Sequence, residues 1–336
     1  MTSNHPWCLR AVGPALLFSL LMIPVTAQSE WFYYADTAMT TRVELELWAD
    51  SRRLADPIAE RVLRVFHKVD RSMSRYREDS ELSRLNRQAA ERPVEVSEGL
   101  FDVFRKAQTV SELSNGAFDI SFGSVGYLYD YRTGVAPSEE QLSSHLSHIN
   151  YQDIVLDDAS RTIFYRQEGL RVDLGGIAKG YAVDLGIEQL KAAGIRHARL
   201  SAGGDMRLLG DRHGRPWVVG VRDPRSKDRN AVVLPLMNAA LSTSGDYERF
   251  FIDEQGDRVH HILSPKTGKP ARGVQSVSIL GSDAMTTDGL STAVFVLGTA
   301  RGLDMINQLP DIDAIIIDEA RQMHYSDGLQ PPGPDD

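Results

Sequence analysis

The chain has 336 residues, of which 42% are hydrophobic and 25% are charged, a composition typical of a globular protein with an ample core. Its formal net charge of −9 and the lack of a basic stripe argue against nucleic acid as the main partner. The length suits one large domain or two closely packed subdomains, since no Pro/Ser-rich linker divides the chain.

The first 27 residues differ from the rest. Arg10 is the only Lys or Arg among them, and residues 11–25 are almost wholly apolar. Residues 25–27 supply the small side chains of a cleavage site ahead of Gln28. The apolar run is shorter than the ~20 residues that a membrane-spanning helix needs. We therefore expect a secretory signal over residues 1–27 and a periplasmic mature protein, with an uncleaved anchor in the inner membrane as the alternative.

Signal cleavage would also remove Cys8, the only cysteine of the chain. The mature protein could then form no disulfide, no thiolate nucleophile and no cysteine-based zinc site. Cys8 precedes the apolar run, so it is not placed as a lipid-attachment cysteine at a cleavage site.

Hydrophobic periodicity predicts the elements in chain order. Helices are expected at 55–73, just after 79–80, and at 96–114, 138–148, 177–193, 285–297 and 301–308. Strands are expected within 31–50, on both sides of 157–158, and at 170–174, 198–200, 206–209, 217–221, 232–236, 240–243, 247–252, 259–263, 275–280, 314–318 and 322–325. Strands mostly follow one another, which indicates an α+β fold with antiparallel sheets over residues 28–329. Residues 330–336 read as a disordered tail.

The most informative stretch is RVDLGGIAKGYAVD, residues 171–184. A strand-like run with Asp173 leads through two glycines into a helix, so backbone can approach a ligand closely and free N–H groups can face an anion. Lys179 adds a cation in the first helical turn. The arrangement suits a phosphorylated ligand, although the spacing is neither a Walker loop nor a dinucleotide fingerprint. A tight turn packed for structural reasons is the alternative.

A second stretch, residues 282–298, places Asp288 and Thr292 four positions apart on a predicted helix. Both oxygens then project from one face, and a carboxylate with a hydroxyl and carbonyls suits Mg²⁺. Capping of the helix start is the alternative interpretation.

Two more stretches carry candidate side chains. In HHILSPKTGKPA, His260 or His261 could act as a general base or anchor a phosphate, unless they are ordinary hydrogen-bonded histidines. In SAGGDMRLLG, Asp205 is either a ligand or a turn acid.

Together these stretches resemble one family, the ApbE proteins, which are FAD:protein FMN transferases. The resemblance runs from Met39 to the last helix and rests on the ordered motifs MSRYREDSELSRLN, NGAFDIS, VDLGGIAKGYAVD, SAGGDMRLLG, STSGDYERFF, HHILSPKTGKP and TTDGLSTAVFVLG. It implies a T-fold-related architecture in which antiparallel sheets pack against long helices.

The resemblance also implies an activity. Such enzymes bind FAD and Mg²⁺ and attach FMN through a phosphoester bond to a threonine or serine hydroxyl of a target flavoprotein, here expected to be membrane-associated, with release of AMP. The matching flavin-nucleotide positions are Met39, Tyr76, Ala117, Phe118, Asp119, Asp173, Lys179 and Ile262. The matching metal positions are Asp288, Thr292 and the carbonyl of Gly176, and His261 matches the general base.

Two other functions fit the same residues. An FAD pyrophosphatase would use water in place of the protein hydroxyl and release free FMN and AMP. A non-catalytic FAD-binding protein would hold the nucleotide without turnover.

Overall fold

The computed structural model describes residues 29–226 and 228–330. The predicted signal segment and residues 331–336 of the predicted tail lie outside these residues. The helices are α1 (Arg52–Met73), α2 (Glu81–Gln88), α3 (Glu98–Leu113), α4 (Gly123–Gly126), α5 (Glu139–Leu146), α6 (Ala178–Ala192), α7 (Ala284–Leu297) and α8 (Thr299–Ile306), with 3₁₀ turns at Ile120–Phe122, Tyr151–Asp153 and Asp327–Leu329.

Fifteen strands complete the described part of the chain. They are β1 (Glu30–Ala38), β2 (Thr41–Ala49), β3 (Val94–Glu95), β4 (Ile154–Asp157), β5 (Thr162–Tyr165), β6 (Ala198–Ala202), β7 (Asp205–Leu209), β8 (Trp217–Arg222), β9 (Asn230–Leu236), β10 (Ala240–Gly245), β11 (Phe250–Ile252), β12 (Arg258–His260), β13 (Val274–Gly281), β14 (Asp313–Asp318) and β15 (Met323–Tyr325).

An eight-stranded sheet organises the fold, in the order β1-β2-β6-β7-β10-β13-β14-β15, and each neighbouring pair in it is antiparallel. Strands β3, β5 and β4 form a second sheet, and β8–β9 and β11–β12 form two-stranded sheets. The predicted α+β class with antiparallel sheets is therefore confirmed.

The two faces of the large sheet are covered differently. Helices α1, α6 and α7 pack together on one face and close the main hydrophobic core. Helix α1 does so with the apolar stripe that the sequence predicts, including Ile58, Val62 and Phe66, all buried. A smaller cluster around Trp217 lies between the other face and the β8–β9 hairpin. No helix in residues 29–226 or 228–330 is long and apolar enough to cross a membrane.

Two predicted strands need comment. The strand predicted within 31–50 forms as β2, and it pairs with an unpredicted strand, β1, across a two-residue turn at Met39 and Thr40. The strand predicted at 170–174 does not form, although its apolar residues are buried. The reason is that side chains bind its backbone: the Asn86 amide accepts from Val172 N at 2.9 Å and donates to Val172 O at 2.9 Å.

Candidate functional site

A cavity of about 420 Å³ lies where α6 and α7 begin and where the turn between β1 and β2, the end of β10 and the end of β12 converge. All of the predicted site residues line this cavity: Met39, Tyr76, Ala117, Phe118, Asp119, Asp173, Gly176, Lys179, His261, Ile262, Asp288 and Thr292. The structure therefore brings together positions that lie up to 253 residues apart in the sequence, counted from Met39 to Thr292.

Close packing of α6 on α7 builds the base of the cavity. A Cβ on Gly180 would lie 2.1 Å from the carbonyl oxygen of Ala284, so only glycine permits this approach. The Asp184 carboxylate then accepts hydrogen bonds from the backbone N–H groups of Ala284 (2.9 Å) and Met285 (2.8 Å) and from the Arg207 guanidinium (2.7 Å). These contacts fix the start of α7 against α6, a role of Asp184 that sequence reasoning missed.

Lys179 lies between two buried carboxylates. Its amine is 2.5 Å from Asp205 Oδ2 and 3.4 Å from Asp288 Oδ1. Burial opposes a charged amine, but the two carboxylates outweigh it and raise the pKa of Lys179 above its ordinary value. Burial and the nearby Asp205 raise the pKa of Asp288 to about 7. Asp205, which the sequence left open as ligand or turn acid, is thus part of the charged cluster beneath the site.

The three predicted metal ligands lie close together next to this cluster. Asp288 accepts from the backbone N–H of Gly180 at 3.0 Å, and Thr292 Oγ1 lies one turn further along α7. The backbone of Gly176 lies against Thr292, since a Cβ on this glycine would be 3.0 Å from Thr292 Oγ1. Asp288 does not cap its own helix, since the N-cap of α7 is Asp283; the helix-start N–H that it binds belongs to the first turn of α6.

The set differs from the commoner clusters of metal-binding side chains. No group of three or more His, Cys, Asp or Glu side chains that could hold a metal occurs in the described ranges. One carboxylate, one hydroxyl and one backbone carbonyl are nevertheless the hard oxygen donors that Mg²⁺ prefers.

The two histidines after β11 have different environments. His260 is buried; its Nε2 donates to the Ala271 carbonyl at 2.9 Å and its Nδ1 accepts from the backbone N–H of Ile262 at 3.3 Å. His261 lines the cavity, and its Nδ1 lies 3.3 Å from the Arg249 carbonyl, which can only accept. Nδ1 therefore carries the proton, and the lone pair is on Nε2. Burial, the Arg249 charge and His260 lower the pKa of His261 to about 3, so its ring is neutral at neutral pH.

Arg75 forms a second ion pair in the cavity wall and was missed from the sequence. Its guanidinium lies 3.0 Å from Asp173 Oδ2, with both side chains largely buried, and is sandwiched between the rings of Tyr76 (4.7 Å) and Tyr127 (4.8 Å). The only sequence signal was its position beside Tyr76 in the MSRYRED motif. Asp173 also accepts from the backbone N–H of Gly175 at 2.8 Å, which shapes the glycine turn.

The Asp119 carboxylate accepts hydrogen bonds mainly from neighbouring backbone groups of the protein. Its carboxylate caps the 3₁₀ turn by accepting from Ser121 N at 2.8 Å, and it accepts from Tyr151 N at 2.9 Å. The preceding residues Ala117 and Phe118 are buried in the cavity wall. The trio therefore shapes the wall where the sequence predicted nucleotide contacts.

Known proteins are similar to this chain in sequence. A model of the ApbE family matches residues 39–316. The chain is 33% identical over 293 residues to a FAD:protein FMN transferase of Vibrio cholerae, an alignment that covers 84% of this chain and 85% of the relative. It is 32% identical over 288 residues to the FAD:protein FMN transferase of Treponema pallidum, covering 80% and 79%.

Solved structures agree. The fold is similar to the ApbE protein from Thermotoga maritima, with a TM-score of 0.82, 34% identity, and coverage of 89% of this chain and 98% of that one. It is also similar to the flavin transferase ApbE from Vibrio cholerae, with a TM-score of 0.78, 29% identity, and coverage of 90% and 99%. This chain belongs to the ApbE family.

Proposed function

We propose that this protein transfers FMN from FAD to a threonine or serine hydroxyl of a target protein and releases AMP. The observation that carries the proposal is one cavity that combines an oxygen set at Asp288 and Thr292 with a neutral histidine, His261, whose Nε2 has its lone pair free. The names of the relatives support the same activity.

The donor set fits Mg²⁺. Asp288, Thr292 and the Gly176 carbonyl would hold the ion, because the missing side chain of Gly176 leaves its backbone against Thr292. When bound, Mg²⁺ would neutralise charge on the pyrophosphate of FAD. Lys179 stays protonated between Asp205 and Asp288 and adds a fixed positive charge beside the same group.

The chemical step is a displacement at phosphorus. The acceptor oxygen forms a bond to the phosphorus of the FMN half, the bridging P–O bond of the pyrophosphate breaks, and AMP leaves with the electron pair. The hydroxyl proton passes to Nε2 of His261, whose Nδ1–H is held by the Arg249 carbonyl. The Arg75–Asp173 pair and the ring of Tyr76 shape the wall where a flat ring of the nucleotide can stack.

The first test incubates the mature protein with FAD, Mg²⁺ and a threonine-containing acceptor from a membrane flavoprotein, with mass spectrometry of the acceptor. We expect an FMN adduct that disappears in EDTA. Asp288→Ala should lower adduct formation at least about 100-fold, whereas Asp158→Asn, an exposed carboxylate paired with Arg105, should retain it.

The other outcomes would support a different function or remove the metal assignment. Free FMN and AMP without an adduct would make the protein an FAD pyrophosphatase, and FAD that stays intact would make it a binding protein. Full activity of Asp288→Ala would overturn the metal assignment.

We also propose that the protein is exported and acts in the periplasm on a membrane-associated acceptor. The charge and apolar pattern of residues 1–27 supports export. A mature N-terminus at Gln28 in the periplasmic fraction would support cleavage, and an intact N-terminus in the membrane fraction would support the anchor.

A further inference from the structure

The turn between β1 and β2 has an unusual backbone. Ala38 pairs with Thr41, so Met39 and Thr40 alone form the turn, and both have positive φ angles of 51° and 58°. Two-residue hairpin turns with positive φ at both central positions are dominated by Asn, Asp and Gly. A β-branched threonine is disfavoured there because its side chain crowds the backbone. Strain of this kind persists only where surrounding contacts hold it, and it occurs at functional sites.

One contact that holds the turn comes from Arg249, which follows β10. Its Nη2 donates to Thr40 Oγ1 at 2.7 Å. The two residues are 209 positions apart in the sequence and both line the cavity. A turn position that favours glycine is thus occupied by Thr40, and its hydroxyl accepts a hydrogen bond from the Arg249 guanidinium on another segment.

The backbone of the same arginine holds the histidine. The Arg249 carbonyl accepts from the backbone N–H of His261 at 3.1 Å and lies 3.3 Å from its Nδ1. One residue therefore contacts the strained turn through its side chain and the ring of His261 through its main chain. The contacts form a continuous path of two links from Thr40 to His261.

We propose that Arg249 is a positioning residue that holds the Met39–Thr40 turn and the His261 ring at a fixed distance and orientation. A nucleotide bound against the turn then always has the same position relative to the base. The inference rests on the proposed function, in which His261 takes the acceptor proton. Arg249 itself takes no part in bond making; it acts through Thr40 and His261.

The test is a double-mutant cycle on transferase activity. Thr40→Val removes the hydroxyl at constant shape, and Arg249→Gln removes the guanidinium. We expect each to lower kcat about tenfold, the loss typical of one charge-assisted hydrogen bond. The double variant should be no slower than the slower single variant, because both remove the same link. The Kd for FAD, measured by flavin fluorescence, should change less than about threefold in each.

Three further variants control for folding and charge. Thr40→Gly relieves the positive-φ strain, so it should keep or raise Tm while it slows kcat like Thr40→Val. Arg249→Lys keeps a donor and should recover part of the rate. Arg272→Gln removes a guanidinium that pairs with Asp257 near β12 and should be as active as the parent protein.

Imidazole ¹⁵N NMR of His261 tests the connection from Thr40 through Arg249 to His261 in the absence of catalysis. The parent should show the Nδ1–H tautomer. Thr40→Val and Arg249→Gln keep the Arg249 carbonyl but lose the side-chain contact that holds its main chain in place, so both should show a mixture of tautomers. The groups that lower the pKa of this ring by their charge are Arg249, His260 and Lys179, and the Tyr131 ring faces it at 6.5 Å between ring centres. Loss of the Arg249 charge should therefore move the His261 titration to higher pH, whereas Thr40→Val should leave its midpoint unchanged.

Additive losses of kcat, or a parent-like rate and tautomer in Arg249→Gln, would overturn the inference. Failure of the proposed function would look different, because the parent protein itself would then form no adduct. In that case the NMR comparison alone decides whether Arg249 positions His261.

Discussion

At the scale of single residues, the adjacent histidines His260 and His261 differ in function because their ring nitrogens have different hydrogen-bond partners. Both nitrogens of His260 are engaged by backbone groups of Ile262 and Ala271, so this ring supports the loop after β12. Only Nδ1 of His261 has such a partner, which leaves Nε2 with a lone pair in the cavity wall. The sequence shows two histidines in a row and cannot tell them apart, because the distinguishing partners lie on other segments.

We predict that His261→Gln lowers kcat by about 10²–10⁴-fold, the usual contribution of a general base, while the Kd for FAD changes little. An equal fall in FAD binding and in rate would instead make His261 a ligand contact. His260→Gln is the matched control: it should lower Tm by disturbing a buried hydrogen-bonded ring, with a smaller effect on kcat.

We also predict that His261→Gln changes how the stability of the fold depends on pH. The pKa of His261 is lowered to about 3 in the folded protein, so below pH ~6.5 the unfolded chain takes up a proton that the folded chain does not. The free energy of unfolding contributed by this group is therefore lost as pH falls from ~6.5 towards 3. His261→Gln should show a shallower fall of Tm across that window, measured by calorimetry; parallel curves for the two proteins would contradict the assignment.

The twelve site residues were predicted from the family resemblance that the ordered motifs carry, and all twelve line the cavity. Arg75, Asp184 and Arg249 were missed for one physical reason. Each is defined by a partner far along the chain, at Asp173, Ala284 and Thr40 respectively, and neither local periodicity nor charge pattern encodes such a pairing.

At the scale of elements, the crossing of α6 on α7 decides whether the site exists. Lys179 and Gly180 lie in the first turn of α6, and Asp288 lies in the second turn of α7. Their contacts therefore depend on the distance between the two helices. The strand predicted at 170–174 failed for a related reason. Its alternation is real, but Asn86 and the segment around Ile120 satisfy its backbone, so this extended run enters α6 without joining a sheet.

We predict that Gly180→Ala lowers the free energy of unfolding by about 1–3 kcal/mol, because the new methyl group meets backbone atoms of α7 that cannot move aside alone. Gly186→Ala, on the same helix, is the control: its new methyl meets side-chain atoms, chiefly the end of Leu200, and no backbone, so its cost should be smaller. Chemical denaturation measures both. Gly180→Ala should also weaken Mg²⁺-dependent activity; equal stability losses in the two variants would show that the helix spacing is not the constraint.

At the scale of the whole molecule, the cavity is an assembled site. It draws on the turn between β1 and β2, the end of α1, the starts of α6 and α7, and the ends of β10 and β12. The unfolded chain cannot hold these segments together, so a ligand that fills the cavity binds the folded state alone. Binding must then stabilise the fold by mass action.

We predict that FAD at 100 times its Kd raises the free energy of unfolding by ~2.7 kcal/mol, which corresponds to a rise in Tm of roughly 4 °C for a chain of this size. Differential scanning fluorimetry measures the shift with FAD, FMN and AMP, each with and without Mg²⁺. FMN and AMP, which each fill part of the cavity, should give smaller shifts than FAD. Asp288→Ala should lose only the part of the FAD shift that depends on Mg²⁺, because its nucleotide wall is unchanged. A parent protein whose Tm does not respond to FAD would exclude this cavity as the nucleotide site, whatever its resemblance to flavin transferases.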